Sequence, residues 1–153
     1  MEEKTEGESQ ELQKILLDLR ESQQRAQGLQ TQIKLLSNSV EEIDNTIGTI
    51  QGIKNMNSET DILVPIGGNS FLKAKLIETD KVLSGFGAEL VAERNPDQAI
   101  EFLEQQKKEF NESIERARGE LEKLSQHIED LRRKAEELMA KTEGEEGASK
   151  SED

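Results

Sequence analysis

The chain has 153 residues, of which 32% are hydrophobic, 3% are aromatic and 35% are charged. A formal net charge of −13 without a basic patch disfavours nucleic acid and anionic membranes as partners, and the lack of cysteine excludes disulfides and thiolate metal sites. The chain has too few large side chains to fill a thick core. Its richness in Glu, Lys, Leu and Gln favours long helices and coiled coils.

Both ends of the chain are acidic and contain few apolar residues. Residues 1–9 and 141–153 have no run of apolar side chains, and we expect both segments to be disordered. The first residues lack the apolar region of a signal peptide, and no run approaches the length of a membrane span. These patterns predict a cytoplasmic protein.

An uninterrupted heptad pattern predicts a coiled-coil helix over residues 10–54. The spacing alternates between three and four residues, which places one narrow stripe of side chains on one face of a helix. The intervening positions are mostly Gln, Glu, Lys, Ser and Asn, and Ser22 is the polar exception within the stripe. The seam consists of Leu12, Ile15, Leu19, Ser22, Ala26, Leu29, Ile33, Leu36, Val40, Ile43, Ile47 and Ile50.

The pattern changes in residues 60–94, where short runs of β-favouring residues are separated by turn-forming residues. This pattern predicts two β-hairpins. The first hairpin pairs 62–66 with 71–77 through the Gly67-Gly68-Asn69-Ser70 turn. The second pairs 81–86 with 88–93 and turns near Gly87.

Two isolated hairpins cannot bury their apolar faces, and a lone two-stranded hairpin is marginal in water. We therefore expect strands of other subunits to complete them, closing an intersubunit β-barrel platform. Pro65 cannot donate a ladder hydrogen bond, which predicts an edge or a bulge in the first strand. The residues predicted to mediate oligomerisation are Ile62, Val64, Ile66, Phe71, Leu72, Leu76, Val82, Phe86 and Leu90.

The second coiled-coil helix is predicted over residues 95–140. In Asn95-Pro96-Asp97-Gln98, Asn95 can cap, Pro96 suits the first helical position, and Gln98 can close a capping box. The seam then repeats, with Lys107 as its polar exception. It consists of Ile100, Leu103, Lys107, Phe110, Ile114, Ala117, Leu121, Leu124, Ile128, Leu131, Ala135 and Leu138.

The two seams have matched lengths and predict an antiparallel pairing. Partners then have residue numbers that add up to 150, so that Leu12 meets Leu138 and Ile50 meets Ile100. A parallel homodimer or an ordinary bundle is the alternative, but the intervening β block returns the chain. The predicted fold is α+β: a long antiparallel two-helix coiled coil with two β-hairpins inserted between the helices.

No residue pattern indicates catalysis or a cofactor, so we expect neither an enzyme nor a bound cofactor or metal. The single histidine, His127, falls at an exposed flank position of the second helix. The Gly67–Ser70 turn lacks the lysine of a P-loop and leads into a strand. The carboxylates are spread over helix surfaces, where pairs such as Glu112 with Arg116 and Glu129 with Arg133 are expected.

Several apolar residues lie off the seam, near the free ends of the two helices. Together with neighbouring seam residues they would form an apolar tip that can hold exposed apolar segments of another protein. Single exposed leucines are ordinary, so a structural interpretation stands beside this one. The predicted tip consists of Leu12, Ile15, Leu16, Leu17, Leu138 and Met139. Off-seam Phe102 is expected to pack against the hairpin platform.

This order of elements closely resembles the alpha-class subunits of prefoldin, over essentially the whole chain except its charged ends. The most specific stretches are Leu63-Val64-Pro65-Ile66-Gly67 and Ser70-Phe71-Leu72-Lys73-Ala74, supported by Ala99-Ile100-Glu101-Phe102-Leu103. Two hairpins, where the beta class has one, indicate the alpha class, and the simple composition is similar to archaeal members. Asn69 departs from the usual Ala or Gly, with little expected consequence.

The resemblance implies a hexamer of two alpha and four beta prefoldin subunits, with a double β-barrel platform and coiled-coil arms. It also implies that the arm tips hold unfolded proteins without ATP and transfer them to a group II chaperonin. The alternative is a structural coiled-coil protein that assembles through its hairpins into filaments or rings.

Overall fold

Two long α-helices flank two β-hairpins in the computed structural model, which describes residues 2–85 and 89–150. The predicted fold class is therefore confirmed for the single chain. The elements are α1 (Glu2–Lys54), β1 (Asp61–Gly67), β2 (Ser70–Lys75), β3 (Val82–Gly85), β4 (Val91–Arg94) and α2 (Pro96–Lys150).

The chain divides into two compact units. The terminal unit comprises residues 1–35 and 113–153, and the hairpin unit comprises residues 36–112. Each unit contains part of both helices, whereas both hairpins belong to the hairpin unit.

The terminal unit has its core where the two seams meet. Ile15, Leu131 and Ala135 are buried together, and the half-buried Leu12, Leu19 and Leu138 pack against them. These six residues form three of the pairs that the predicted register specifies.

Polar contacts between the two helices of the terminal unit confirm this register independently. If Leu12 is heptad position a, then Asp18 and Arg25 are g positions of α1, while Glu120 and His127 are g positions of α2. In an antiparallel register whose seam partners have residue numbers adding up to 150, two g residues are neighbours across the helices when their numbers add up to 145. The observed pairs are Asp18 with His127 at 3.3 Å and Arg25 with Glu120 at 3.7 Å, and both have that sum.

Both helices extend further than the sequence indicated. Helix covers residues 2–9 and 141–150, where we expected disorder, while residues 1 and 151–153 lie outside the described part. Once a helix is nucleated, each added residue costs little, and these segments are rich in Glu and contain no proline. The seam also continues there, because Glu8 and Thr142 occupy the next paired positions and are half-buried.

The hairpin unit contains the other part of the helical pairing. Ile43, Ile47 and Ile50 are buried on α1, and Ala99 and Pro96 are buried at the start of α2.

The start of α2 follows the predicted capping box. The Gln98 backbone N–H donates to Asn95 Oδ1 at 2.8 Å, and Asn95 N–H donates to Gln98 Oε1 at 3.5 Å. Both donors lie at a helix N-terminus, where no intrahelical acceptor exists for them. The boundary of α2 was therefore readable from four residues.

The first hairpin forms with the predicted turn. Gly68 and Asn69 both adopt positive φ values, of 56°, between the paired residues Gly67 and Ser70. This two-residue geometry matches the twist of antiparallel strands, and glycine and asparagine tolerate it best. Asn69 therefore suits the turn even though it departs from the family's usual residue.

The predicted irregularity in β1 is present as well. Pro65 pairs with Phe71 and Gly67 pairs with Ser70, so the register shifts at the residue between Pro65 and Gly67. The second hairpin pairs Val82 with Arg94 and is shorter than predicted. Its predicted turn near Gly87 lies outside the described residues.

Candidate functional site

The terminal unit divides the predicted tip residues into two groups. Ile15 belongs to the core, with Leu12 and Leu138 packed against it, so these three side chains stabilise the helix pair. The other three are exposed: Leu16 by 44%, Leu17 by 57% and Met139 by 42%. We call Leu16, Leu17 and Met139 the apolar flank.

The register brings the members of the apolar flank together. Leu16 and Met139 are both e positions, and in this antiparallel register e residues face each other when their numbers add up to 155. Leu16 therefore lies across from Met139, with Leu17 beside it at the outward f position. The two helices thus present one shared apolar surface on a flank of the terminal unit.

The opposite flank of the terminal unit is polar. Asp18 accepts a hydrogen bond from buried Ser22, whose Oγ lies 3.2 Å from Asp18 Oδ1, and Asp18 Oδ2 lies 3.3 Å from His127 Nε2. This bond satisfies the one polar seam residue of α1. His127 lies at an exposed flank position, as predicted, and its carboxylate partner was not anticipated from the sequence.

Polar pairs on the outer helix surfaces differ from those predicted. Arg133 pairs with Asp130 at 3.0 Å instead of with Glu129, and Arg116 donates to Ser113 Oγ at 3.1 Å instead of pairing with Glu112. Both partners lie three residues away, a spacing that a helix surface allows as readily as four.

The hairpin unit carries the second exposed apolar surface. On one face of the first hairpin, Ile62 pairs with Ala74 and Val64 pairs with Leu72. Directly paired residues of antiparallel strands point to the same side, so these four side chains form an apolar surface on this face. Leu72 is nevertheless 57% exposed.

The other face of the first hairpin is mixed. Leu63 pairs with Lys73, and Asp61 pairs with Lys75, while Phe71 lies beside Pro65. Phe71 is 56% exposed, so both faces of this hairpin leave large apolar side chains in contact with water.

Exposure extends over the predicted oligomerisation residues and beyond them. Val64, Ile66, Phe71, Leu72 and Leu90 are exposed, Ile62, Leu76 and Val82 are half-buried, and Phe86 lies outside the described residues. Sequence reasoning overlooked four further exposed residues, namely Leu63, Ile77, Leu83 and Val91. For Leu63 the signal was the near-continuous apolar run from Ile62 to Ile66, which is typical of strands covered on both faces.

Phe102 connects α2 with the second hairpin. The guanidinium of Arg94, the last residue of β4, lies 4.2 Å from the centroid of the Phe102 ring. A cation over an aromatic face is attracted by the ring quadrupole. The contact agrees with the expected packing of Phe102 against the hairpins.

The polar seam residue of α2 has a specific partner. Lys107 Nζ donates to Asp44 Oδ1 at 2.6 Å. This hydrogen bond and the carboxylate charge hold the pKa of Lys107 above its usual value, against the opposing effect of burial. Lys107 therefore stays charged beside the seam.

No group of three or more His, Cys, Asp or Glu residues in the described ranges is arranged to hold a metal ion. Across those same ranges, neither helix contains a stretch apolar enough to cross a membrane.

Known proteins resemble the chain over most of its length. The family model described as Prefoldin subunit matches residues 22–141. A protein named Prefoldin subunit alpha from Pyrococcus horikoshii is 34% identical over 132 residues, which cover 86% of this chain and 89% of that protein. Its namesake from Methanopyrus kandleri is 32% identical over 120 residues, 78% of this chain and 74% of the relative.

A solved structure supports the same fold. The cryo-EM structure of filamentous PFD from Methanocaldococcus jannaschii superposes with a TM-score of 0.67 at 23% identity, covering 74% of this chain and 94% of that one. The family model covers well over half of the chain, and its alpha-subunit relatives confirm the class that the sequence indicated. The chain belongs to the prefoldin family of chaperones.

Proposed function

We propose that the chain is the alpha-class subunit of an ATP-independent holdase that captures unfolded proteins in the cytoplasm. The observation that carries this proposal is the apolar flank, in which Leu16, Leu17 and Met139 are all exposed near the free ends of the two helices. Single exposed apolar residues need no explanation, but a group shared by two helices marks a surface for contact with other proteins.

Capture at such a surface depends on several weak contacts. Three partly exposed side chains give low affinity for an unfolded segment. Several arms held on one platform raise the effective concentration of each remaining site once the first is occupied. Weak single contacts also allow release, so no nucleotide-driven step is required for transfer of the client to a group II chaperonin.

The platform is the proposed role of the hairpin unit. Strands of neighbouring subunits would cover the apolar face of Ile62, Val64, Leu72 and Ala74 and close an intersubunit β-barrel. We propose partner subunits of the beta class, in an assembly of two alpha and four beta chains.

A structural role remains the second candidate. The exposed hairpin faces could join copies of this chain into filaments or rings, and the solved relative from Methanocaldococcus jannaschii is itself described as filamentous. Electron microscopy of the chain alone and with a beta-class partner separates the two, because a purely structural protein would not need the partner.

The holdase proposal is tested by replacing Leu16, Leu17 and Met139 with Ser in the assembled complex. We expect the mass of the complex to be unchanged and its suppression of the aggregation of a refolding client, followed by light scattering, to be lost. Leu35→Ser is the matched control, because Leu35 is an exposed leucine of the same unit that lies away from the flank.

Undiminished protection by the triple variant would remove the apolar flank from the mechanism. Replacing Leu12, Ile15 or Leu138 instead would not answer the question, because those side chains form the core of the helix pair. Their loss would impair any function that needs the helices.

A further inference from the structure

The charge around the apolar flank is uneven along the two helices. On the side of the helix ends, residues 2–11 contain five Glu and one Lys, and residues 136–145 contain four Glu and one Lys, a net charge of −7 for the two segments together. The adjoining segments differ, because residues 12–21, which include Leu16 and Leu17, are neutral and residues 126–135 carry +1.

The carboxylates of the end zone are held on regular helix. Both segments are helical, so the backbone positions that carry these charges are set relative to Leu16 and Met139. Glu136 and Glu143 lie three and four residues from Met139, a spacing that places them on the adjoining helix surface.

These nine carboxylates are also not neutralised by ion pairs. Among side chains that the structure describes, none of them lies within salt-bridge distance of a basic group. Other acidic groups of the same unit do have partners, such as Asp18 with His127 and Glu120 with Arg25. The end zone therefore keeps its negative potential.

We propose that the apolar flank selects unfolded segments in which apolar residues are flanked by Lys or Arg. This inference rests on the proposed holdase function and specifies its class of client. The apolar residues of the segment contact Leu16, Leu17 and Met139, while its basic residues lie over the carboxylates toward the helix ends.

The uneven charge along the helices determines the orientation of the bound segment. Inward of the flank, Arg20 follows Leu16 by four residues, and Arg132 precedes Met139 by two helical turns. The inner segments are close to neutral and do not attract a basic residue, so that the attractive region lies toward the helix ends. Complementary charge of this kind speeds the association of a basic segment with the flank and disfavours acidic segments. Its effect on the final affinity is smaller.

The test measures binding of two fluorescent peptides to the chain assembled with a beta-class subunit. Both peptides have the same length and the same apolar residues, and these are flanked by Lys in one and by Glu in the other. At low salt we expect the Lys peptide to bind at least about threefold more tightly, since exposed charge pairs are individually weak. Near about 1 M salt, where the screening length is about 3 Å, the two affinities should converge.

Variants locate the source of the preference. Changing Glu6, Glu136 and Glu143 to Gln should remove most of the preference for Lys. The matched control changes Glu42, Glu112 and Glu122 to Gln, which alters the net charge equally at exposed positions away from the flank. The control should keep the preference.

The outcomes separate this inference from the function on which it rests. Equal binding of both peptides, or tighter binding of the Glu peptide, overturns the charge selection and leaves the holdase proposal intact. Equal loss of the preference in both sets of variants overturns the placement at the helix ends. If neither peptide binds, the apolar flank is not a client site and the proposed function fails as well.

Discussion

The terminal unit and the hairpin unit treat their apolar residues in opposite ways. In the terminal unit the seam residues cover one another, and the core cluster around Ile15 and Leu131 is complete within one chain. In the hairpin unit the strands leave large side chains exposed on both hairpins, including Leu63, Phe71, Leu72, Leu83 and Val91.

The difference follows from backbone geometry. A helix satisfies its backbone hydrogen bonds internally, so two helices need only one shared stripe to form a stable pair. A two-stranded hairpin has two open edges and two faces, and it cannot cover them itself. The helical part of the chain can therefore be formed by the single chain, whereas we propose that the hairpins depend on partners.

The largest expected effect comes from placing a charge on the apolar face of the first hairpin. Leu72→Glu would bury a carboxylate against a partner strand, and we expect the assembly with a beta-class subunit to be lost entirely. Mass measurement by light scattering after size-exclusion chromatography reports the result. Lys73→Gln, on the opposite face, is the control and should assemble normally. An intact Leu72→Glu complex would show that this face is not an interface.

The next largest effect tests whether the seam between the two helices stabilises the single chain. Ile47 is buried to 6% exposure, and Ile47→Ala should lower the free energy of unfolding by about 2–5 kcal/mol through lost burial and a residual cavity. Denaturant unfolding followed by circular dichroism measures the change. Leu17→Ala, at an exposed position, should change it by less than about 0.5 kcal/mol. Equal effects would contradict the assignment of Ile47 to the core and Leu17 to the surface.

A smaller effect is expected at the junction between the hairpins and α2. Asn95→Ala removes the acceptor for the Gln98 backbone N–H, and the loss of an N-cap costs about 1 kcal/mol. Asn95→Asp retains the acceptor and should stay close to the wild type. Thermal unfolding of the wild type and both variants measures the difference. If Asn95→Ala unfolded at the same temperature as the other two proteins, the cap would not contribute to stability.

The smallest effect concerns the polar exception in the seam of α2. Because the folded pKa of Lys107 is raised by Asp44, the folded chain holds this proton more tightly than the unfolded chain does. The resulting stabilisation is fully present below the unfolded lysine pKa of about 10.4 and is lost as pH rises through the higher folded value.

Thermal unfolding between about pH 9 and pH 12 measures this contribution, since the window brackets the pKa of lysine. Lys107→Gln should show a weaker decline in stability over that range than the wild type, and Lys108→Gln should decline as the wild type does. Identical profiles for Lys107→Gln and the wild type would show that the Asp44 contact has no weight in solution.

Much of the architecture was readable because local rules and long-range rules agree in this sequence. The seam, the capping box at Asn95, the turn at Gly68-Asn69 and the irregularity after Pro65 each depend on a few neighbouring residues, and all are present. The antiparallel register could be predicted because two seams of equal length have one alignment that leaves no apolar residue unpaired.

Other features could not be read in the same way. The tip prediction joined seam residues such as Ile15 to off-seam residues such as Leu16, although the heptad positions already placed Ile15 in the core and Leu16 on the surface. Helix at residues 2–9 depends on propagation from the seam, which composition alone does not reveal. The contact of Asp18 with His127 depends on a register between residues more than a hundred positions apart.

The central claim is that the hairpin unit is incomplete in a single chain, and the mass of the complex formed with a co-expressed beta-class prefoldin subunit tests it most directly. Native mass spectrometry should detect a closed hetero-oligomer, with two copies of this chain and four of the partner, and little free monomer. A chain that stays monomeric in the presence of the partner, with its hairpins folded and exposed, would contradict the account.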